Sequence, residues 1–591
     1  MAEKDQEIRH VDEAGGDFVH AFKDEKWAKE KLTITAHDMA TEEKEMSIWR
    51  AIVSSKKAIL WSLAVSTCVI MEGYDTNLLG NFYAYPSFQR KYGEFVGVSR
   101  QVPTGYSLTA AWMTGLGQAA GCGSILGTVL NGWIVAAFGP RKVLLYTLAV
   151  MTCFIFIVFF APNKPVLLAG ELLCGFEWGI FATTAPAYAS EILPLQLRVY
   201  FTSYTNMCFI IGQFISAGVL RGLVHRQDQW GYRIPFALQW FWPLFLIPLL
   251  YFVPESPYHL VRCGQLEEAG RSIRRLQDPR SGIDSKKILA QIVYTNNLEE
   301  QLSVGTTYWD CFKGFERRRT EIACVVFGGQ LVCGLCFAYA STYFFQQVGL
   351  DADAAYSLGL GGNALALFAC FCNWFFLMPH FGRRTVYVWG MAAMAIELCI
   401  IGILNPWTHR SSVAWTQAIL TLVWTVFNIK ADRRKLGWAL PAEIGSTRLR
   451  QKTVCLARNT SNVLGVIGGT LENYFMNPNA WNLQGYTGFV WGGCAWIIFI
   501  WAYFRLPETK GRTFHELDIL FAKEIPARKF ATTNIDEFDE VENTQLASKY
   551  AVESHAPHRP SFVPSATNAL GAHGRADDAD VGIKAVEASG R

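Results

Sequence analysis

Residues 143–161, "VLLYTLAVMTCFIFIVFFA", contain no charged side chain. A run of about 20 apolar residues matches the ~30 Å hydrocarbon core of a bilayer when it is helical. Comparable runs fall near 58–80, 109–136, 143–161, 166–188, 199–222, 236–253, 321–345, 354–377, 385–404, 413–442, 453–475 and 485–506. They predict an all-α membrane protein with twelve spanning helices. Composition agrees, because charged residues make up 17% of the chain against roughly 25% in a soluble domain. The opening residues are charged and show no secretory signal, so the first apolar run is expected to be a retained anchor.

The runs divide the chain into a tail at 1–57, a six-helix half at 58–253, a polar segment at 254–320, a second half at 321–506 and a polar, largely disordered tail at 507–591. Lys and Arg gather in both tails, at "GPRK", at Arg198, across 254–320, at "GRR" and at "RLRQK". These are alternate loops, which places them, with both termini, on the cytoplasmic side.

The halves echo each other. "FGPRK" returns as "FGRR", "PESP" as "PETKG", and "EILPLQLR" as "EIGSTRLR", at offsets near 250 residues. Three echoes at nearly one offset indicate a duplicated six-helix unit, the architecture of major facilitator transporters. Glu191 and Arg198 stand where the fourth helix leaves the membrane, and Glu443 and Arg450 where the tenth does. Such carboxylates and guanidiniums can pair across the halves as a latch while the cytoplasmic side is closed. Anchoring of helix ends in headgroups is the bland alternative.

Acids inside a span cost at least ~2.5 kcal/mol each on insertion scales, and each is therefore a functional candidate. Glu72 and Asp75 share one face of the first helix; Glu171 and Glu177 lie in the fourth, and Arg458 in the eleventh. Glu72 and Glu171 fall near the outer ends of their helices, where water could also reach them. Cys333 and Cys336 form a lone C-x-x-C without a second pair, so neither a metal site nor a cofactor is expected. The net charge of +3 is too small to point to nucleic acid.

"PESPYHL", "PETKGRTFHEL" and "YASEILPLQLR" resemble signatures of the sugar porter branch of the major facilitator superfamily. Within it, "EGYDTNLLGNFYAYPSFQRKYG", "TTAPAYASEILPLQLR" and the stretch from "RLRQKTVCLARN" to "FAKEIPARKF" resemble fungal maltose permeases, which are α-glucoside:proton symporters. The resemblance covers about 55–530. It implies a plasma-membrane carrier in a lipid bilayer, with a sugar and protons as its ligands. It also implies proton coupling by Glu72, Asp75 and Arg458, with Glu171 as a helix-four partner facing the first helix. Gln213 and Gln330 match sugar-contacting glutamines, although Leu331 replaces a usual second amide. Trp438 matches a tryptophan that stacks on the sugar, and Asn363 and Asn459 are further candidates. A lone intramembrane amide can equally serve a helix–helix hydrogen bond.

The chain departs from the branch in three places. Ala136 and Ala137 replace a charged pair of the first-half loop, and Tyr258 stands where arginine is usual. Lys430, Asp432, Arg433, Arg434 and Lys435 interrupt the tenth helix. An error at a splice boundary, an altered chain that signals without transporting, and charges facing an aqueous cavity all fit that run. The expected function is proton-coupled import of α-glucosides. The alternatives are a uniporter or symporter for a hexose or a β-linked disaccharide, and a non-transporting sugar sensor. No nucleotide loop or metal cluster suggests an enzyme.

Overall fold

The computed structural model describes residues 46–98, 104–278, 284–303, 308–372, 382–430, 444–446, 449–509 and 514–530, with single positions at 39, 42, 102, 532 and 533. All belong to one compact unit, Leu32–His555. Twelve long helical segments follow the twelve apolar runs. In the first half they are α1 (Lys56–Phe82), α2 (Ala110–Phe138), α3 (Pro140–Phe159), α4 (Lys164–Ile192), α5 (Leu195–Leu223) and α6 (Trp230–Tyr251). In the second they are α7 (Gly314–Tyr339), α8 (Ala352–Cys372), α9 (Arg383–Leu404), α10 (Ser411–Lys430), α11 (Arg450–Met476) and α12 (Thr487–Arg505).

Among the described residues nine of these are long and apolar enough to cross a membrane. A tenth is α1, joined through an 83° bend to the short helix Ile48–Ser54. The polar run "RNTSN" keeps α11 from qualifying by composition alone; its place as a span follows from its packing.

That packing is duplicated. In the first half α1 lies on α5, α2 on α4, and α3 on α6; in the second α7 lies on α11, α8 on α10, and α9 on α12. The halves meet where α2 packs on α11 and α5 on α8. Small residues permit the close crossings, since helices in lipid associate through backbone approach and packing. A Cβ on Gly73 would lie 2.0 Å from the Phe209 carbonyl oxygen, and one on Gly212 would lie 2.1 Å from that of Ile70. The α1–α5 crossing therefore closes through two reciprocal glycines.

The sequence echoes make echoed bonds. The Arg141 amide donates to Glu255 at 3.1 Å, and the Arg384 amide to Glu508 at 3.1 Å. The Arg141 guanidinium donates to the Tyr251 carbonyl and lies over that tyrosine's ring; the Arg384 guanidinium does the same with Tyr503. Each "GPR" or "GRR" loop is thus clamped to the end of its own half.

Three features differ from expectation. First, α7 is not continuous. Cys333 and Gly334 leave helical geometry, and Gly334 has φ +102°, which glycine accepts at little cost. Second, the polar segment 254–320 holds three helices, Pro257–Arg262, Leu266–Leu276 and Ser285–Ser303. Third, the tail after 507 contains a packed helix, Phe514–Ala522, with Leu517, Ile519, Leu520 and Phe521 buried. Its Asp518 receives a 2.5 Å bond from Arg319 of α7, which is wholly buried. Its apolar residues fall at helical spacing but are diluted in sequence by "HELD" and "AKE".

Candidate functional site

A cavity opens between the halves. From the first half α1 contributes Asn77 and Asn81, and α5 contributes Gln213. From the second, Tyr339 and Thr342 flank the end of α7, α8 contributes Tyr356 and Asn363, and α10 contributes Thr425. The empty space, counted with its open mouth and the solvent in it, is about 730 Å³. Amides and hydroxyls dominate its polar lining. Each amide both donates and accepts, which matches the paired donor and acceptor capacity of adjacent sugar hydroxyls.

At the end away from Gly139 and Gly382 the halves are tied together. Tyr356 donates to the Asn81 carbonyl at 2.6 Å, Gln346 to the Ala84 carbonyl at 3.1 Å, and Asn477 to the Leu108 carbonyl at 2.9 Å. Arg221 at the end of α5 pairs with Asp353 at the start of α8 at 2.6 Å, and it also donates to Ser357. His225 joins the same carboxylate at 3.0 Å. Contacts from α1, α5, α8 and the end of α11 thus close this end across the interface.

Behind the cavity α1 turns a different face into its own half. Asp75 is buried, receives a 2.5 Å bond from Gln239 of α6 and one of 3.3 Å from the Trp178 indole of α4. Its third neighbour is the Glu171 carboxyl, within hydrogen-bonding reach. Glu171 is fully buried, and among the described residues no N–H reaches either of its oxygens. Glu171 lies within α4, packed against α1, so the alternative in which water reaches it does not hold. Glu72, half-buried on the same helix, sits in the electrostatic field of Arg458 of α11. Arg458 also donates to the Ala182 carbonyl of α4 at 3.1 Å, across the interface.

The other candidates divide. Gln213 and Asn363 line the cavity. Gln330 is buried at the last turn before the α7 break and is not in that lining. Asn459 is half-buried beside Arg458, and its side-chain oxygen meets no donor among the described residues. Glu177 is buried on α4, with one oxygen likewise unmet. Glu191 accepts a bond from Ser256 and lies 3.7 Å from Arg262, both in the polar segment that follows its own half. Arg198 is half-buried near the start of α5. Trp438, Glu443 and the run from Asp432 to Lys435 lie outside the described residues, as do the side chains of Lys430 and Arg450.

Two acids within spans were not singled out: Glu397, half-buried on α9 with one oxygen unmet among the described residues, and Glu472. Glu472 of α11 is buried and receives a 2.6 Å bond from the Trp491 indole of α12. It stands four residues before the end of its helix, which reads in sequence as the wet end of a span. The indole-bound acid Asp75 in the first half thus has a counterpart in the second.

Comparison with known proteins agrees with this arrangement. A family model described as "Sugar (and other) transporter" matches residues 61–521. Over 503 residues the chain is 39% identical to the maltose permease MAL31 of Saccharomyces cerevisiae, covering 84% of this chain and 81% of the permease. It is 36% identical over 512 residues to the general alpha-glucoside permease of the same yeast, covering 86% and 82%. Among solved structures it resembles the inward open conformation of the xylose transporter XylE from E. coli, with TM-score 0.61 and 19% identity over 78% of this chain and 99% of that one. It also resembles the major facilitator superfamily proton:xylose symporter XylE bound to 6-bromo-6-deoxy-D-glucose, with TM-score 0.63 and 20% identity over 79% and 99%. The structural likeness gives the fold, that of a multi-pass membrane carrier built from two six-helix halves. With a family model spanning most of its length and permease relatives above one-third identity, the chain belongs to the sugar transporter family.

Proposed function

We propose that this chain imports α-glucosides such as maltose together with protons, by alternating access, across the plasma membrane, with both termini in the cytoplasm. The observation that carries the reading is the Asp75–Glu171 carboxyl pair, held by Gln239 and Trp178 on the helix that also lines the inter-half cavity. One rigid element then feels both the proton and the sugar. Loading the acid pair removes charge from the interior of the first half, which favours the state in which the halves can rock. Glu72 and Arg458 face each other from opposite halves and respond to the same motion. The permease relatives support an α-glucoside as the sugar.

In this reading Gln213 and Asn363 bind sugar hydroxyls, with Gln330, Trp438 and Asn459 as further contacts. Glu191, Arg198, Glu443 and Arg450 latch the cytoplasmic side. The Lys-rich and Arg-rich loops that end α2, α4 and α8 support a cytoplasmic side at Gly139 and Gly382. The end tied by Arg221 and Asp353 is then extracellular.

The test is uptake of labelled maltose, glucose and trehalose by a transport-deficient host, with the pH of the medium recorded. Maltose-dependent alkalinisation is the expected result. Uptake of glucose alone, or sugar uptake without proton movement, would replace this reading with that of a hexose carrier or a uniporter.

A further inference from the structure

Asn77 and Asn81 lie one helical turn apart on α1 and line the cavity together. Both are more than nine-tenths buried. The Asn77 amide donates to the Gln213 carbonyl at 3.2 Å, a reach set by the Gly73–Gly212 crossing that draws α1 onto α5. Asn81 donates to the Asn77 carbonyl at 2.6 Å and to its side-chain oxygen at 3.0 Å. The donors of this pair are therefore committed to α1 and α5. The Asn81 side-chain oxygen is not: it is buried at the cavity and meets no donor among the described residues.

A buried amide oxygen left without a donor is unfavourable, and native proteins seldom keep one without a ligand or an ordered water. Purely structural amides would finish their bonds within the helix pair. Both residues line the space bounded on the far side by Tyr356 and Asn363 of α8, and the unmet Asn81 oxygen is the one acceptor of the pair that remains. Hydroxyl donors fit that need, and a cation does not, since the lining includes no carboxylate among the described residues.

We propose that Asn77 and Asn81 form a sugar-hydroxyl subsite on α1, with the Asn81 side-chain oxygen accepting from a ring hydroxyl and Gln213 holding the neighbouring one. The proposal rests on the reading of this cavity as the sugar site. Its consequence is that α1 reads the sugar directly, on a face different from the one that carries Asp75. Sugar and proton then act on the same helix without touching each other. Asn81 also selects among sugars by the hydroxyl it meets, which makes it a specificity-determining residue.

The experiment uses the purified full-length chain and measures binding of maltose and its monodeoxy analogues to the parent, Asn81→Ala and Asn81→Ser. Asn81→Ala is expected to weaken maltose binding roughly tenfold or more. For one analogue, the one lacking the partner hydroxyl, parent and variant should bind alike; Asn81→Ser, which keeps an acceptor, should recover part of the loss. Equal losses for every analogue, or no loss for any, would overturn the subsite. So would failure of both variants to yield folded protein, because Asn81 would then be a packing residue. If the parent binds no maltose while binding another sugar, the α-glucoside assignment fails, and the same analogue test on that sugar still decides the role of Asn81.

Discussion

A methyl group on Gly382 would lie 2.3 Å from a Glu508 oxygen. The glycine is what allows the carboxylate to reach the Arg384 amide, and Gly139 leaves the same room for Glu255, whose carboxyl carbon would lie 3.0 Å from an added Cβ. Gly382→Ala should therefore expel the carboxylate and release the loop between α8 and α9 from the chain end. A loss of about 1–3 kcal/mol is expected, the usual effect of leaving such a group unpaired. Thermal unfolding of the detergent-purified variant measures it, and a melting temperature equal to the parent's would show that the clamp carries no stability.

Asp75→Asn should abolish uphill accumulation while leaving exchange of sugar down its gradient. The amide keeps the shape, and its one oxygen can still accept from Gln239 or from Trp178, which bond different oxygens of Asp75, but it cannot share a carboxyl proton with Glu171. Sugar-induced alkalinisation of the medium, run beside counterflow, separates the two activities. Proton uptake at the parent's rate would remove Asp75 from the coupling machinery.

Gly73→Val and Gly212→Val test the α1–α5 crossing. A side chain at either position drives into a backbone carbonyl that has no rotamer to escape by. Overpacking of this kind typically costs about 1–3 kcal/mol, and here it also displaces the Asn77 amide from Gln213. Both variants should show lowered thermal stability and lowered sugar affinity together. A stable variant with the parent's affinity would mean that the helices part without consequence.

Asp353→Asn should loosen the closed end modestly. The Arg221–Asp353 pair is partly exposed, with the two side chains 30% and 42% accessible. Its worth is therefore about 0.5–1 kcal/mol rather than that of a buried pair. Transport should change by a few-fold, and the double exchange Arg221→Asp with Asp353→Arg should return it toward the parent. An effect that persists in the exchanged protein would point to Ser357 or His225, not to the ion pair.

Much of this was visible in the chain before its fold was known. Apolar runs mark helices because lipid leaves the backbone no other way to satisfy itself. The echoes at "GPRK" and "PESP" do more, since each proves to be half of one clamp. Gln213 was named because "IIGQ" resembles a sugar-contacting position of the branch, and Asn363 as a further candidate; both line the cavity. The α7 break was not found: Gly334 is one of 50 glycines, and a positive φ leaves no mark in composition. Asn77 and Asn81 were passed over because they resemble the polar fringe at a helix end. Their burial comes from α5 and α8, which sequence places more than 130 residues away. Glu472 was passed over for the same reason, its partner being an indole on the next helix.

The helix Phe514–Ala522 settles where this protein can be cut or extended. Arg319 is wholly enclosed, and Asp518 supplies a carboxylate that water cannot replace. Arg318 and Arg319 also lie against the Phe521 ring, and Arg318 against Phe530. Ending the chain at 513 removes that carboxylate from a buried guanidinium, a change that typically costs about 3–5 kcal/mol. A reporter or purification handle therefore belongs beyond Phe530, and a shortened version for crystallisation has its inner limit there.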